Sequence, residues 1–182
     1  MTKRDLEIAQ FIEDNPCRSD TIAKVFNMPI RVANRRLKAL TEYGYINRYR
    51  EDIHTRYFYY AGTRPKQVEH MNLVALSYVW IREQGYTIIN FKREVKLDGI
   101  RPDAVALVSK NGKKSFICVE VERYNNRLPK KIDKYRMQTQ ITNFSILYIC
   151  SRVVKDKTID ITTVHPDKIK GSSAGTTTAH DL

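Results

Sequence analysis

The chain has 182 residues, 32 of them Lys or Arg against 20 Asp or Glu, for a formal net charge of +12. That length suits one ordinary domain or two small ones, and a composition 42% hydrophobic and 10% aromatic excludes a disordered chain. No apolar run approaches the ~20 residues of a membrane helix, and the polar, acidic opening MTKRDLEIAQFIEDN does not fit a secretory or transit signal.

Residues 1–62 parse as three helices and a hairpin. Thr2 is placed to cap a first helix with an apolar stripe of Leu6, Ile8, Ala9, Phe11 and Ile12, which Asn15-Pro16 stops. Ser19 is placed to cap a short second helix whose inner face is Ile22, Ala23 and Phe26. Asn27-Met28-Pro29 makes a tight turn into a third helix, PIRVANRRLKALTEYGYI, with Val32, Leu37, Leu40 and Tyr43 inward. Arg31, Arg35, Arg36 and Lys38 are left outward, and Gly44 closes the helix. Two strand-like runs follow, YINRYR and TRYFYYAG, and seven of the eighteen aromatic residues fall in 43–60.

This organisation resembles the winged helix-turn-helix family, with RRLKALTEYGYI as its most specific part. The resemblance implies a third helix in the major groove of double-stranded DNA and a hairpin wing on backbone or minor groove. The positions it assigns are Arg31, Asn34, Arg35 and Lys38 for the groove and Arg48, Arg50 and Arg56 for the wing. Basic amphipathic helices and aromatic hairpins also occur in plain structural roles, and some winged helices serve as protein–protein modules. Charge placement favours the DNA reading: residues 28–64 carry eight Lys or Arg against three acids, whereas 1–27 carry four against five.

Thr63-Arg64-Pro65 reads as a linker to a second domain over 66–165. A helix over 66–84 is closed by Gly85, and strand-like runs YTIINFKREV, DAVALVS and KSFICVEVERY follow, the last two joined by an Asn111-Gly112 hairpin signal. NRLPKKIDKYRMQTQIT gives a helix with Leu128, Ile132, Tyr135 and Thr139 on one face, within a basic block of six Lys or Arg over 123–136. NFSILYICS is a continuous apolar strand of the kind found at a sheet centre, TIDITTV is a weaker one, and 166–182 reads as a disordered tail.

Glu120 and Glu122 are two residues apart at the end of the third strand, so they share a face, and hairpin pairing brings Asp103 near them. Three converging carboxylates repel one another unless a cation relieves them, and Mg²⁺ or Mn²⁺ is the natural relief. An acid directly after the apolar FICV is costly without a role. The alternative is that these acids are ordinary strand residues facing water. The order αβββαβ with R-P-D and E-x-E resembles the PD-(D/E)xK nuclease-like superfamily, so the expected fold is α+β or α/β, a winged helix followed by a nuclease-like domain. The resemblance makes Asp103, Glu120 and Glu122 metal ligands and catalytic residues. The usual final lysine is replaced here by Glu122, and Lys131 in the following helix is the candidate to take its place, with Lys134 second. Glu69 is a further, weaker candidate.

A winged helix followed by VEHMNLVALSYVWI, RPDAVALV, FICVEVER and KKIDKY resembles the replication-relaxation family of plasmids and mobile elements, which includes the MOBC type of relaxase. His70, R-P-D, E-x-E, Lys131 and Tyr135 carry the resemblance over residues 5–150. It implies a metal-dependent DNA nicking or processing protein in mobilisation or replication. The alternative is a non-catalytic replication, relaxosome or transcription factor with a degenerate nuclease-like domain, and a weaker third is a regulator whose second domain dimerises or docks a protein. Arg123, directly after E-x-E, either contacts phosphate or pairs with Glu122. Four histidines with no H-x-H pair exclude a histidine-coordinated tyrosine relaxase. The three isolated cysteines, Cys17, Cys118 and Cys150, read as buried small hydrophobes in a reducing compartment. The expected partners are double-stranded DNA, other replication or relaxosome proteins and a second copy of the chain. No membrane is expected, and the expected location is the cytoplasm.

Overall fold

Thr2 and Asp5 open α1 (Lys3–Asp14) as a reciprocal capping box. The Thr2 hydroxyl accepts from the Asp5 amide at 3.3 Å, and the Asp5 carboxylate accepts from the Thr2 amide at 2.8 Å. The computed structural model describes residues 1–122, 128–139 and 141–171. After α1 come β1 (Cys17–Arg18), α2 (Ser19–Val25), α3 (Ile30–Glu42), β2 (Asn47–Tyr49) and β3 (Phe58–Tyr60). The three strands form an antiparallel sheet in the order β1-β3-β2. Ile8, Ile12, Ile22, Leu37, Leu40, Ile46 and Tyr59 close a core between helices and sheet.

Local expectations shift in three places. Ser19 is the first residue of α2 rather than its cap; Arg18, whose backbone is paired in β1, stands at the cap position and makes no side-chain capping bond to the helix. Tyr43 is 72% exposed rather than inward, since α3 ends there and Gly44, at φ +77°, turns the chain away. Leu6 also lies outside, on the solvent side of α1.

The second sheet is built on α4 (Val68–Glu83), β4 (Thr87–Arg93), β5 (Ala104–Lys110), β6 (Lys113–Val121), α5 (Leu128–Arg136), β7 (Phe144–Ile149), β8 (Ile161–Val164) and α6 (Pro166–Gly171). Its order is β4-β5-β6-β7-β8, antiparallel from β4 to β6 and parallel from β6 to β8. Asn111 and Gly112, at φ +52° and +76°, make the β5–β6 turn that this dipeptide announces. Alternation along the strands divides two apolar layers. Ala104, Ala106, Ile117, Val119 and Leu147 face Leu73, Leu76 and Ile81 of α4. Val105, Cys118, Ile146 and Tyr148 share the opposite layer with Leu128, Ile132 and Tyr135 of α5. Among the described residues the molecule is a mixed α+β protein with six helices and two sheets.

The α4 helix belongs to both halves. Ala75 packs into the amino-terminal core while its neighbours cover the second sheet. Asn72 Oδ1 accepts from the Arg18 amide and the Thr21 hydroxyl, both at 2.9 Å, and the Arg82 guanidinium donates to the Val25 and Lys24 carbonyls at 2.6 and 2.7 Å. The stretch 63–65 therefore leads directly into an element packed on both sides. Two further expectations are corrected. Residues 166–171 form α6 rather than a tail, with Ile169 fully buried against the α4 layer; residues 172–182 lie outside the described residues. Thr139 is exposed beyond the end of α5, where its amide and hydroxyl donate to Asp98 at 3.0 and 2.6 Å. No helix among the described residues is long and apolar enough to cross a membrane.

Candidate functional site

Helical spacing sets Arg31, Asn34, Arg35 and Lys38 in one row on α3, all exposed. Arg36, one step round, leaves that row: its guanidinium meets Asp5 at 2.5 Å and donates to the Thr2 hydroxyl at 3.1 Å. Bonds from the Thr2 amide and hydroxyl, with the Arg36 charge, hold the Asp5 carboxyl down to about 2. On the hairpin, Arg48 and Arg50 lie over the Tyr57 ring, 4.4 and 4.8 Å from its centroid. Arg56 is drawn instead to Asp20 at 2.8 Å, which leaves it less available than the other two. Arg64 stacks on Tyr49 at 3.2 Å.

A second constellation lies in a cleft of about 830 Å³ between the end of the hairpin region and the edge of the larger sheet. Asp103, Glu120, Glu122 and Lys131 all line it, joined by His70, Arg93, Glu94, Arg64 and Lys66. Asp103 stands just before β5; its Oδ2 accepts from the Val121 amide at 2.7 Å and its Oδ1 faces His70 Nε2 at 3.2 Å. Glu120 is only 5% exposed. Lys131 Nζ lies 2.7 Å from its Oε2, and the Tyr135 hydroxyl donates to its Oε1 at 2.7 Å. Burial pushes the Glu120 carboxyl up, and the Lys131 and Tyr135 bonds offset part of that rise. The same burial, with Glu120 nearby, drives the Tyr135 hydroxyl far up and the Cys118 thiol to about 12. Glu122 Oε2 accepts from the Tyr148 hydroxyl at 2.7 Å.

Lys131 reaches Glu120 because α5 crosses the sheet face on Leu128, Ile132 and Tyr135, leaving the residue one position before Ile132 beside the strand end. Lys134 does not join the cleft lining, and is exposed. Glu69 does line it; burial raises its carboxyl, and Arg18 at 2.5 Å with Lys170 at 3.4 Å more than offsets that, for a net shift downward. Arg123 and its neighbour Tyr124 lie outside the described residues. Sequence reasoning passed over Arg93, at the end of β4. A lone arginine after Phe91-Lys92 carries no signal without the partner strand that buries it.

Among the described residues no three His, Cys, Asp or Glu side chains are grouped so as to hold a metal ion. A hard divalent cation, however, takes one or two carboxylates completed by water. Asp103 and Glu120 are the all-oxygen pair that lines the cleft, and each of their four carboxylate oxygens already faces a protein donor: the Val121 amide and His70 for Asp103, Lys131 and Tyr135 for Glu120. No protein-family model matches the chain, and no curated protein or solved structure matches it either.

Proposed function

We propose that the chain binds double-stranded DNA through α3 and the β2–β3 hairpin, as a winged helix does. In this reading the cleft belongs to a nuclease-like domain that nicks or processes DNA in the mobilisation or replication of a plasmid or other mobile element. The observation that carries the enzymatic part is Lys131 on Glu120, at 2.7 Å, in the cleft that also holds Asp103. Two acids and a lysine are thereby present although the strand itself reads E-x-E, because α5 delivers the ammonium.

Asp103 and Glu120 would hold Mg²⁺ or Mn²⁺, with Glu122 beside them. Such an ion, when bound, activates water and neutralises charge on the leaving oxygen. Lys131 favours the ionised form of Glu120 against the cost of burial and sets an ammonium where phosphate charge develops. His70 fixes Asp103 from the α4 side. Arg31, Asn34, Arg35 and Lys38 would meet the groove, and Arg48 and Arg50 the backbone.

A second reading has one observation in its favour. Both Glu120 oxygens already accept a hydrogen bond, so the buried acid is satisfied without an ion, as in a non-catalytic DNA-binding factor. Nicking of supercoiled plasmid with Mn²⁺ decides between them. The enzyme reading expects nicking by the wild type and background levels for Glu120→Ala. Nicking that persists in the variant refutes the metal assignment, and a wild type that binds DNA without nicking leaves the second reading. An affinity unchanged as salt rises refutes both, since phosphate contacts release counterions.

A further inference from the structure

A second groove, of about 680 Å³, runs between α1 and β4, the outermost strand of the larger sheet. Aromatic rings line it in a chain: Tyr78 of α4 meets Phe11 of α1 edge-on at 5.5 Å and Phe91 of β4 at 5.6 Å. The register of β4 on β5 slips between Ile88 and Asn90, so Ile88 and Phe91 both turn to the α4 layer. Ile89 is left as the extra residue, 49% exposed, and Leu6 on the α1 wall is 53% exposed. Two large apolar side chains bared on one groove, beside a sheet edge with no strand partner among the described residues, mark an interaction surface.

The charges of α1 indicate what covers it. Lys3 and Arg4 stand in the first turn, and Glu13 and Asp14 in the last. The helix dipole favours the reverse order, acids at the amino end and cations at the carboxyl end. Among the described residues Glu13 and Asp14 have no cationic partner, and only the Gln10 amide reaches them, at 3.4 and 3.3 Å. The pair of Arg4 with Glu7, at 3.3 Å, is close to half exposed on both sides and weak. A second α1 laid antiparallel on the first sets the acids of each copy against the cations of the other. Helical spacing puts Arg4, Glu7, Phe11 and Asp14 on the groove side, and Asp5, Ile8 and Ile12 on the other. Asp5 holds Arg36, so α3 stays uncovered when the groove is filled.

We propose that this groove is the contact between two copies of the chain. The α1 helices pack antiparallel about a two-fold axis, Arg4 of each copy facing Asp14 of the other, and Leu6 and Ile89 are covered. The contact is isologous, so every pair occurs twice and every substitution counts twice. It does not depend on the DNA reading.

Sedimentation equilibrium on the full chain, over a series of protein concentrations, tests it. The wild type is expected to dimerise, and Arg4→Glu and Asp14→Lys each to weaken self-association by about ten-fold or more, because like charges then face each other twice. Mixing those two variants restores the dimer, since Glu at 4 then meets Lys at 14 and Asp14 meets Arg4. Only an antiparallel two-fold contact gives that rescue. A wild type that stays monomeric at every concentration overturns the proposal and leaves the groove to a different protein. Charge variants that associate as the wild type does overturn it as well, and place the dimer on another face. Should reversal at 4 or 14 unfold α1, Ile89→Lys decides, and wild-type association in it refutes the contact. A dimer without DNA affinity keeps this contact and removes the DNA reading, whereas a monomer that binds DNA does the opposite.

Discussion

The outer face of α3 and the cleft use the same residue types in opposite ways. On α3, Arg31, Arg35 and Lys38 stand in water, and the pair between Lys38 and Glu42 is long, at 3.7 Å, with both side chains more than half exposed. Such a pair contributes little, so the charge on this face is solvated rather than held by a close partner among the described residues. In the cleft, Lys131 is committed: it sits at 2.7 Å on a glutamate whose side chain is only 7% exposed, with Tyr135 completing the carboxylate. Removing a charge from the first surface changes the field around the protein and little else. Removing one from the second strands a buried acid. A net charge of +12 hides that distinction, which depends on where each charge is held.

The sharpest way to break the comparison is Lys131→Met. Without the ammonium, Glu120 keeps its burial and loses its counter-charge, and destabilisation of about 3 kcal/mol is expected near pH 8. The sign with pH follows from the raised Glu120 pKa. Below 4.5, its ordinary value, the acid is protonated folded or unfolded; as pH rises through the elevated folded value, the unfolded state releases its proton first and stability falls. The variant raises the folded value further, so urea midpoints of variant and wild type are expected to converge near pH 4 and separate toward pH 8. A loss of equal size at both pH values would show that Lys131 acts through packing rather than charge.

The sequence carried much of this layout because the signals were local. The Asn111-Gly112 turn, the closing glycines at 44 and 85 and the alternation that divides the two sheet layers each depend on neighbours in the chain. Lys131 was reached by another route, as the candidate that the nuclease-like resemblance offered, with Lys134 second, in place of the strand's missing lysine; its pairing with Glu120 was not read from the sequence, because it depends on how α5 crosses the sheet face. What was not legible depends on distant partners. Ile169 is a lone apolar residue in a polar run, and only the α4 layer gives it a place to be buried. Arg93 looks like any strand-end cation until β5 covers it at Ala104. Thr139 has the spacing of α5, yet the Asp98 carboxylate offers its amide and hydroxyl a better partner than another helical turn.

A smaller effect is expected where Arg36, midway along α3, meets Asp5 in the first turn of α1, the two standing between the extremes at 28% and 14% exposure. Asp5→Ala removes the acid of the capping box and the partner of Arg36, and a loss of about 1 kcal/mol at neutral pH is expected. Here the pKa is lowered, so the contribution is complete above 3.8 and is lost as pH falls through about 2. Acid titration of the melting temperature should therefore show the wild type losing its advantage over the variant between those values. This is the reverse of the direction expected for Glu120.

The smallest stability effect belongs to the exposed row. Arg35→Ala should leave the urea midpoint within about 0.5 kcal/mol of the wild type, because the side chain is exposed and a helix interior favours alanine. The same substitution should weaken duplex binding across all sequences if Arg35 meets phosphate, lowering the salt slope by about one, or relax preference at one base pair if it meets a base edge. The two outcomes separate in a binding series over single-position operator variants at fixed salt. A protein unaltered in both stability and DNA affinity would place recognition on another face, because Arg35 lies mid-row between Arg31 and Lys38, and no duplex laid along that row could avoid it.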